Sequence, residues 1–164
     1  MKLTKALEKA KKKKARGARR PPQKVVSLKK PQTENDWKSP VYSDSINIKL
    51  DKECLLDNRC IGMLPEAPEL DSYKVLRTKI QLITGEKGWN TVMITSPRPA
   101  EGKTLTAINL ALTFSKVYNQ TVLLVDCDLR HQNVHKLLGF QSYSGLMDYL
   151  LKGQPLEELI IWPG

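Results

Sequence analysis

Apolar positions along this chain keep two rhythms. Leu70, Tyr73, Leu76, Ile80 and Ile83 recur at three- and four-residue spacing. That is one face of a 3.6-residue turn, and it predicts a helix over 69–84 with Gly85 as its stop. Lys87-Gly88-Trp89-Asn90 then reads as a turn into a short apolar run, Thr91–Thr95, which predicts a strand. A loop closing on Gly102-Lys103-Thr104 leads into a long apolar-periodic stretch, predicted helical. A second run, Thr121–Val125, predicts another strand and ends on Asp126-Cys127-Asp128. His131–Leu138 reads as a short helix closed by Gly139, Gly145–Leu151 as another ended by Gly153, and Gln154–Trp162 as the start of a third element. Asn47–Pro65 shows little periodicity and receives no assignment. Strand, loop, helix, strand in that order predicts an α/β fold, a parallel sheet of the P-loop type with flanking helices.

Charge divides the chain in two. Of 27 basic and 17 acidic residues among 164, thirteen Lys/Arg and one acid, Glu8, fall within residues 1–30. The remainder carries 14 basic and 16 acidic groups and is close to neutral. Such a lysine-rich segment cannot bury enough apolar surface to offset ordering entropy, so residues 1–46 are expected to be a disordered basic tail and linker. Pro21-Pro22 and Ser39-Pro40 punctuate it. Residues 47–164 are expected to form the folded domain. The tail reads either as an arm drawn to anionic lipid headgroups or as a solvated, solubilising extension. Nucleic acid is disfavoured, because the rest of the chain lacks interleaved aromatic and basic residues. Met1–Lys14 is followed by no apolar signal region, and no apolar stretch approaches a bilayer-spanning length, so a cytoplasmic setting is expected. Cys54, Cys60 and Cys127 have no CxxC spacing and read as reduced, neutral thiols.

The chemistry concentrates in residues 91–130. A phosphate needs backbone N–H donors at a helix N-terminus, a cation, and a carboxylate-held Mg²⁺ nearby. The P-loop pattern G-x-x-x-x-G-K-[ST] is met by Pro97-Arg98-Pro99-Ala100-Glu101-Gly102-Lys103-Thr104, with Pro97 in place of the first glycine. Gly102 lets the backbone approach phosphate oxygens, Lys103 places an ammonium on the β- and γ-phosphates, and Thr104 offers its hydroxyl to Mg²⁺. Leu105 and Thr106 offer only backbone N–H groups. Asp126 and Asp128 lie two apart at the carboxyl end of a predicted strand, so both can face one Mg²⁺. The bland alternatives are an ordinary strand-to-helix turn and a pair of helix-capping acids. A DxD metal site of sugar-nucleotide transferases is a further rival, and the loop upstream argues against it. His131 and His135 read as solvent-facing, Trp89 as a packing residue, and Tyr143 and Tyr149 as structural.

SPRPAEGKT resembles the Walker A loop S-x-x-P-G-E-G-K-[ST] of bacterial tyrosine kinases, the P-loop autokinases of polysaccharide chain assembly. LLVDCDLR is similar to their second acidic box, and Gly88-Trp89-Asn90-Thr91 with Ser144–Leu150 resembles the branch associated with exosortase systems. The resemblance covers about residues 60–164 and implies an ATP- and Mg²⁺-dependent tyrosine autokinase module regulating exopolysaccharide biosynthesis and export. It implies that Lys103, Asp126 and Asp128 serve catalysis, that Thr104, Asp126 and Asp128 hold the metal, and that Ala100, Glu101, Gly102, Lys103, Thr104, Leu105 and Arg130 contact the nucleotide. It also implies a polysaccharide chain-length or export membrane protein as partner, a place at the inner-membrane face, and self-association through Asp71, Lys74 and Arg77, which align with the family's E-x-x-R-x-x-R. Ala100 stands where the family usually has glycine. The family's Walker B strand and tyrosine-rich tail have no counterpart within 164 residues, so the chain is expected to be the N-terminal part of such a kinase. Two other readings stay open: a P-loop ATPase of the partition or positioning type, and an inactive membrane-binding interaction module.

Overall fold

The computed structural model describes residues 45–117 and 120–163. The expectations for the basic tail and most of the linker lie outside the described residues. The element order is β1 (Ile46–Ile48), α1 (Lys52–Asp57), a 3₁₀ turn at Ile61–Met63, α2 (Leu70–Lys87), α3 (Lys103–Ser115) and α4 (Val134–Leu137). A π-helical turn at Asp148–Lys152, a 3₁₀ turn at Leu156–Glu158 and β2 (Ile161–Pro163) follow. The fold is therefore mixed α/β.

The sheet is not where the hydrophobic pattern puts it. Its two strands are β1 and β2, paired in parallel with Ile46 opposite Ile161 and Ile48 opposite Pro163. Among the described residues, neither Thr91–Thr95 nor Thr121–Val125 joins a ladder. Val92, Met93, Leu123 and Val125 are exposed, Met93 by 83%. Runs of this kind read as strands buried on both faces. Here each lacks the laddered neighbour and covering layer that would make it one.

Two of the helical expectations shift at their ends. Helix α2 continues through Gly85 to Lys87 and stops at Gly88, whose backbone is left-handed. There Trp89 N–H reaches back to Thr84 O at 2.9 Å, the six-to-one bond of a Schellman stop. Its packed stripe runs through Leu70, Tyr73, Arg77, Ile80 and Thr84, while Leu76 and Ile83 are exposed. Helix α4 begins at Val134 rather than His131, because residues 128–133 are held in side-chain-capped turns. The unassigned segment 47–65 carries α1, which Asp51 caps by accepting from Glu53 N–H at 3.2 Å.

The core forms around α3. Ile108 on that helix meets Leu55, Cys60 and Leu138, with Leu50, Leu105, Leu112, Leu124 and Phe140 packed against them. Asn109 is buried beside Ile108 and accepts from Gly62 N–H at 3.0 Å while donating to Arg59 O at 3.0 Å. This carboxamide pins the 59–62 turn to α3. Gly62 is required by the resulting proximity, since a Cβ there would lie 2.4 Å from Leu112 Cβ. Burial pushes the Cys60 thiol up to about 11, helped by nearby Cys54, so it stays protonated at neutral pH. All three cysteines are free thiols, Cys127 exposed.

Single residues depart from their sequence reading in three places. Trp89 is 59% exposed and carries the Lys87 ammonium 5.0 Å from its ring centroid, so it does not pack in the core. Tyr143 is 91% exposed rather than structural. His135 is half-buried with its ring tilted on Phe140, while His131 faces solvent as expected.

Candidate nucleotide site

The loop before α3 is a tight, self-bonded turn. Ser96 Oγ donates to Arg98 O at 3.0 Å, and Arg98 N–H donates to Glu101 Oε2 at 3.2 Å. Glu101 thus folds back onto the loop, and Pro97 and Pro99 contribute no N–H. Two residues reverse the chain through positive φ, Ala100 at 62° and Gly102 at 83°. For Gly102 this geometry is free, but for Ala100 it costs about 1–2 kcal/mol. Ala100→Gly should therefore stabilise the chain, by about 0.5–1 kcal/mol once the extra unfolded-state entropy of glycine is set against the relieved strain. The check is a higher urea midpoint at unchanged slope; a lower midpoint would show that Ala100 carries no strain.

Gly102 sits at the N-cap of α3 and offers no side chain to the first turn. Thr106 N–H is the one that accepts its place in the helical ladder, donating to Gly102 O at 2.8 Å. The amides of Lys103, Thr104 and Leu105 precede that ladder and point out of the helix end, where the dipole favours an anion. They open into a cleft of about 280 Å³. One wall is Ala100 with Gly102–Leu105; the other is Asn133, Lys136 and Leu137.

Behind the loop the two acids do different work. Asp128 Oδ2 lies 3.6 Å from Lys103 Nζ, and Asp128 Oδ1 accepts from His131 N–H at 3.0 Å and Arg130 N–H at 3.3 Å. The His131 N–H foremost holds this carboxyl below the ordinary carboxylate range; desolvation opposes it, and the Arg130 N–H and the Lys103 ammonium add smaller lowering effects. Asp128 therefore stays ionised, and paired with Lys103, well into mildly acidic solution. Asp126 is spent on architecture. Its Oδ1 accepts from Asp128 N–H at 3.0 Å, and its Oδ2 from Asn133 and Val134 N–H at 3.1 and 3.2 Å. This carboxylate fixes the acidic box and seats α4.

The expected residues are thus gathered unevenly. Ala100, Gly102, Lys103, Thr104 and Leu105 line the cleft; Asp128 meets it through its ion pair with Lys103; Glu101 is turned onto the loop; Arg130 is exposed. Among the described residues no cluster of three or more His, Cys, Asp or Glu forms a metal cage. The donor set still suits Mg²⁺ carried by a polyphosphate, which takes one or two carboxylates and draws its other oxygens from phosphate and water. The open amides, the cation and the single available carboxylate oxygen fit a Mg-nucleotide. Asn133 and Lys136 were missed from the sequence, because nothing in their spacing reveals that α4 folds across the loop.

The charged positions on α2 have partners within this chain, with Asp71 and Lys74 exposed and Arg77 half-buried. Lys74 Nζ pairs with Asp71 Oδ1 at 2.8 Å on the same helix, and Arg77 Nη1 donates to Thr113 O at 2.9 Å near the end of α3. Arg77 Nε is buried with no hydrogen-bond partner.

No family model matches the chain, and no solved structure matches it. Curated proteins do. The chain is 36% identical over 96 residues to tyrosine-protein kinase YwqD of Bacillus subtilis (strain 168), covering 58% of this chain and 40% of that protein. It is 36% identical over 81 residues to tyrosine-protein kinase wzc of Salmonella typhimurium, covering 49% and 11%. It is 30% identical over 125 residues to tyrosine-protein kinase ptk of Acinetobacter johnsonii, covering 75% and 16%. The chain spans less than half the length of each of these relatives. Similarity to tyrosine kinases from such different bacteria, alongside the GKT loop and the DxD box, places this chain in the bacterial tyrosine-protein kinase family.

Proposed function

We propose that this chain is the nucleotide-binding part of a P-loop tyrosine autokinase acting in exopolysaccharide assembly and export. The observation that carries this reading is the start of α3, where open amides of Lys103–Leu105 share a cleft with the Lys103 ammonium, 3.6 Å from Asp128. In this reading those amides and Lys103 hold the phosphates of ATP. Thr104 Oγ and Asp128 Oδ2 offer oxygens to Mg²⁺, which supplies Lewis-acid stabilisation of charge on the transferred phosphoryl group. Asp126 holds Asp128 and α4 in place, and Arg130 stands at the end of the acidic box to meet the nucleotide once bound. Asp71, Lys74 and Arg77 are proposed to contact a second copy.

The test is incubation of the full chain with γ-labelled ATP and Mg²⁺. Phosphotyrosine is expected from the wild type and should be lost in Asp128→Asn. ATP turnover without phosphotyrosine would refute the kinase assignment and favour a positioning-type ATPase.

The basic residues 1–30 are proposed to hold the domain at an anionic membrane face beside a polysaccharide-export membrane protein. No described helix is long and apolar enough to cross a membrane. Attraction of this kind screens over about 8–10 Å at moderate salt. Co-sedimentation with anionic liposomes should therefore disappear at high salt or on deletion of residues 1–30. Binding that survives either change overturns the electrostatic reading.

A further inference from the structure

The cleft before α3 has a second cationic wall. Lys136 lies on α4, facing the loop that carries Lys103. The Lys103 ammonium has Asp128 beside it, whereas Lys136 makes no ion pair among the described residues. Asn133 sits at the N-cap of α4, where a carboxamide ordinarily bonds its own helix, yet it makes no such side-chain bond. Both side chains are thus free of the structural roles their positions would give them.

The wall is held firmly for so short a helix. Leu137 O accepts from Asn58 Nδ2 at 3.1 Å and from Cys60 Sγ at 3.5 Å. Leu138 is buried in the core, and Asp126 ties down the other end through the Asn133 and Val134 amides. Lys103 and Lys136 both line one cleft of about 280 Å³, and a polyanion held between two lysines is attracted by both.

We infer that Lys136, assisted by Asn133, is a specificity-determining contact for nucleoside di- and triphosphates, gripping the phosphate chain from the side opposite Lys103. The inference rests on the nucleotide reading of the loop. It makes α4 a phosphate sensor in its own right, with preference for nucleotides rising with phosphate charge.

The test is calorimetry of the full chain with MgADP, AMP and adenosine, using wild type, Lys136→Gln, Lys136→Arg and Lys103→Ala. Lys136→Gln should weaken ADP binding about tenfold, or ~1.4 kcal/mol, AMP less, and adenosine not at all. Lys136→Arg should retain ADP affinity, since it keeps the charge. The position is exposed, so circular dichroism should show the same fold in each variant. ADP affinity unchanged in Lys136→Gln but reduced in Lys103→Ala would overturn the second wall and leave the loop reading standing. No ADP binding by the wild type, or equal affinity in all four proteins, would overturn the loop reading and this inference together.

Discussion

Replacing Lys103 with alanine is expected to cut MgADP affinity by about tenfold or more, the largest single loss at this site. Charge-assisted contacts contribute roughly 1.5–3 kcal/mol each, and this ammonium faces the phosphates while neutralising Asp128. Its removal also leaves the Asp128 carboxylate uncompensated beside an anionic ligand. The first-turn amides of α3 remain, so weak binding should persist. Lys103→Arg should fall between the two, because a longer planar fork fits a point-charge site poorly. Stability should barely move, since both side chains of the pair are about 30% exposed, at 29% and 30%, and such pairs contribute little. Calorimetry decides it: equal affinity in wild type and variant would remove the phosphate role from Lys103.

The largest loss of stability is expected at Asn109. Truncation to alanine deletes two hydrogen bonds, leaving Gly62 N–H and Arg59 O without their partner and opening space in a closed core. A buried donor stripped of its acceptor costs about 1–3 kcal/mol, and the lost packing adds to that. A destabilisation of about 2–4 kcal/mol follows, read as a lower urea midpoint. Asn109→Asp separates the contributions. It keeps an acceptor for Gly62 and loses the donor to Arg59, while burying a charge that raises its own pKa. A midpoint within about 0.5 kcal/mol of wild type for Asn109→Ala would show that the 59–62 turn is held by packing alone.

The helices were legible in the sequence because each leaves a local signature. Leu70, Tyr73 and Ile80 lie on the packed stripe of α2, and the apolar rhythm after Thr104 is α3 itself. The GKT loop was legible for the same reason: a helix start and its phosphate chemistry lie within a few consecutive residues. What was not legible depends on distant pairing. Strand β1 finds its partner only at the far end of the described chain, and three-residue strands have too few positions to show alternation. Thr91–Thr95 and Thr121–Val125 have the composition of buried strands, but composition cannot supply the neighbours a ladder needs. The spacing of Asp126 to Asp128 was visible in the sequence, whereas its bonds to Asn133 and Val134 required the chain to turn back. Arg77 was read from its spacing to Asp71 and Lys74, and its bond to Thr113 O on a second helix had no local signature.

The parallel pairing of Ile46 with Ile161 also bears on the order in which the molecule assembles. It closes a loop of more than a hundred residues, for which the length-dependent entropy alone is roughly 4 kcal/mol. Three facing positions, the last of them Pro163 with no N–H to donate, cannot offset that in a chain that is still open. Helix α3 and the turns it pins must already have drawn the two ends together. The sheet is therefore a late event in folding and the earliest to come apart, a latch closed by the core rather than a nucleus for it.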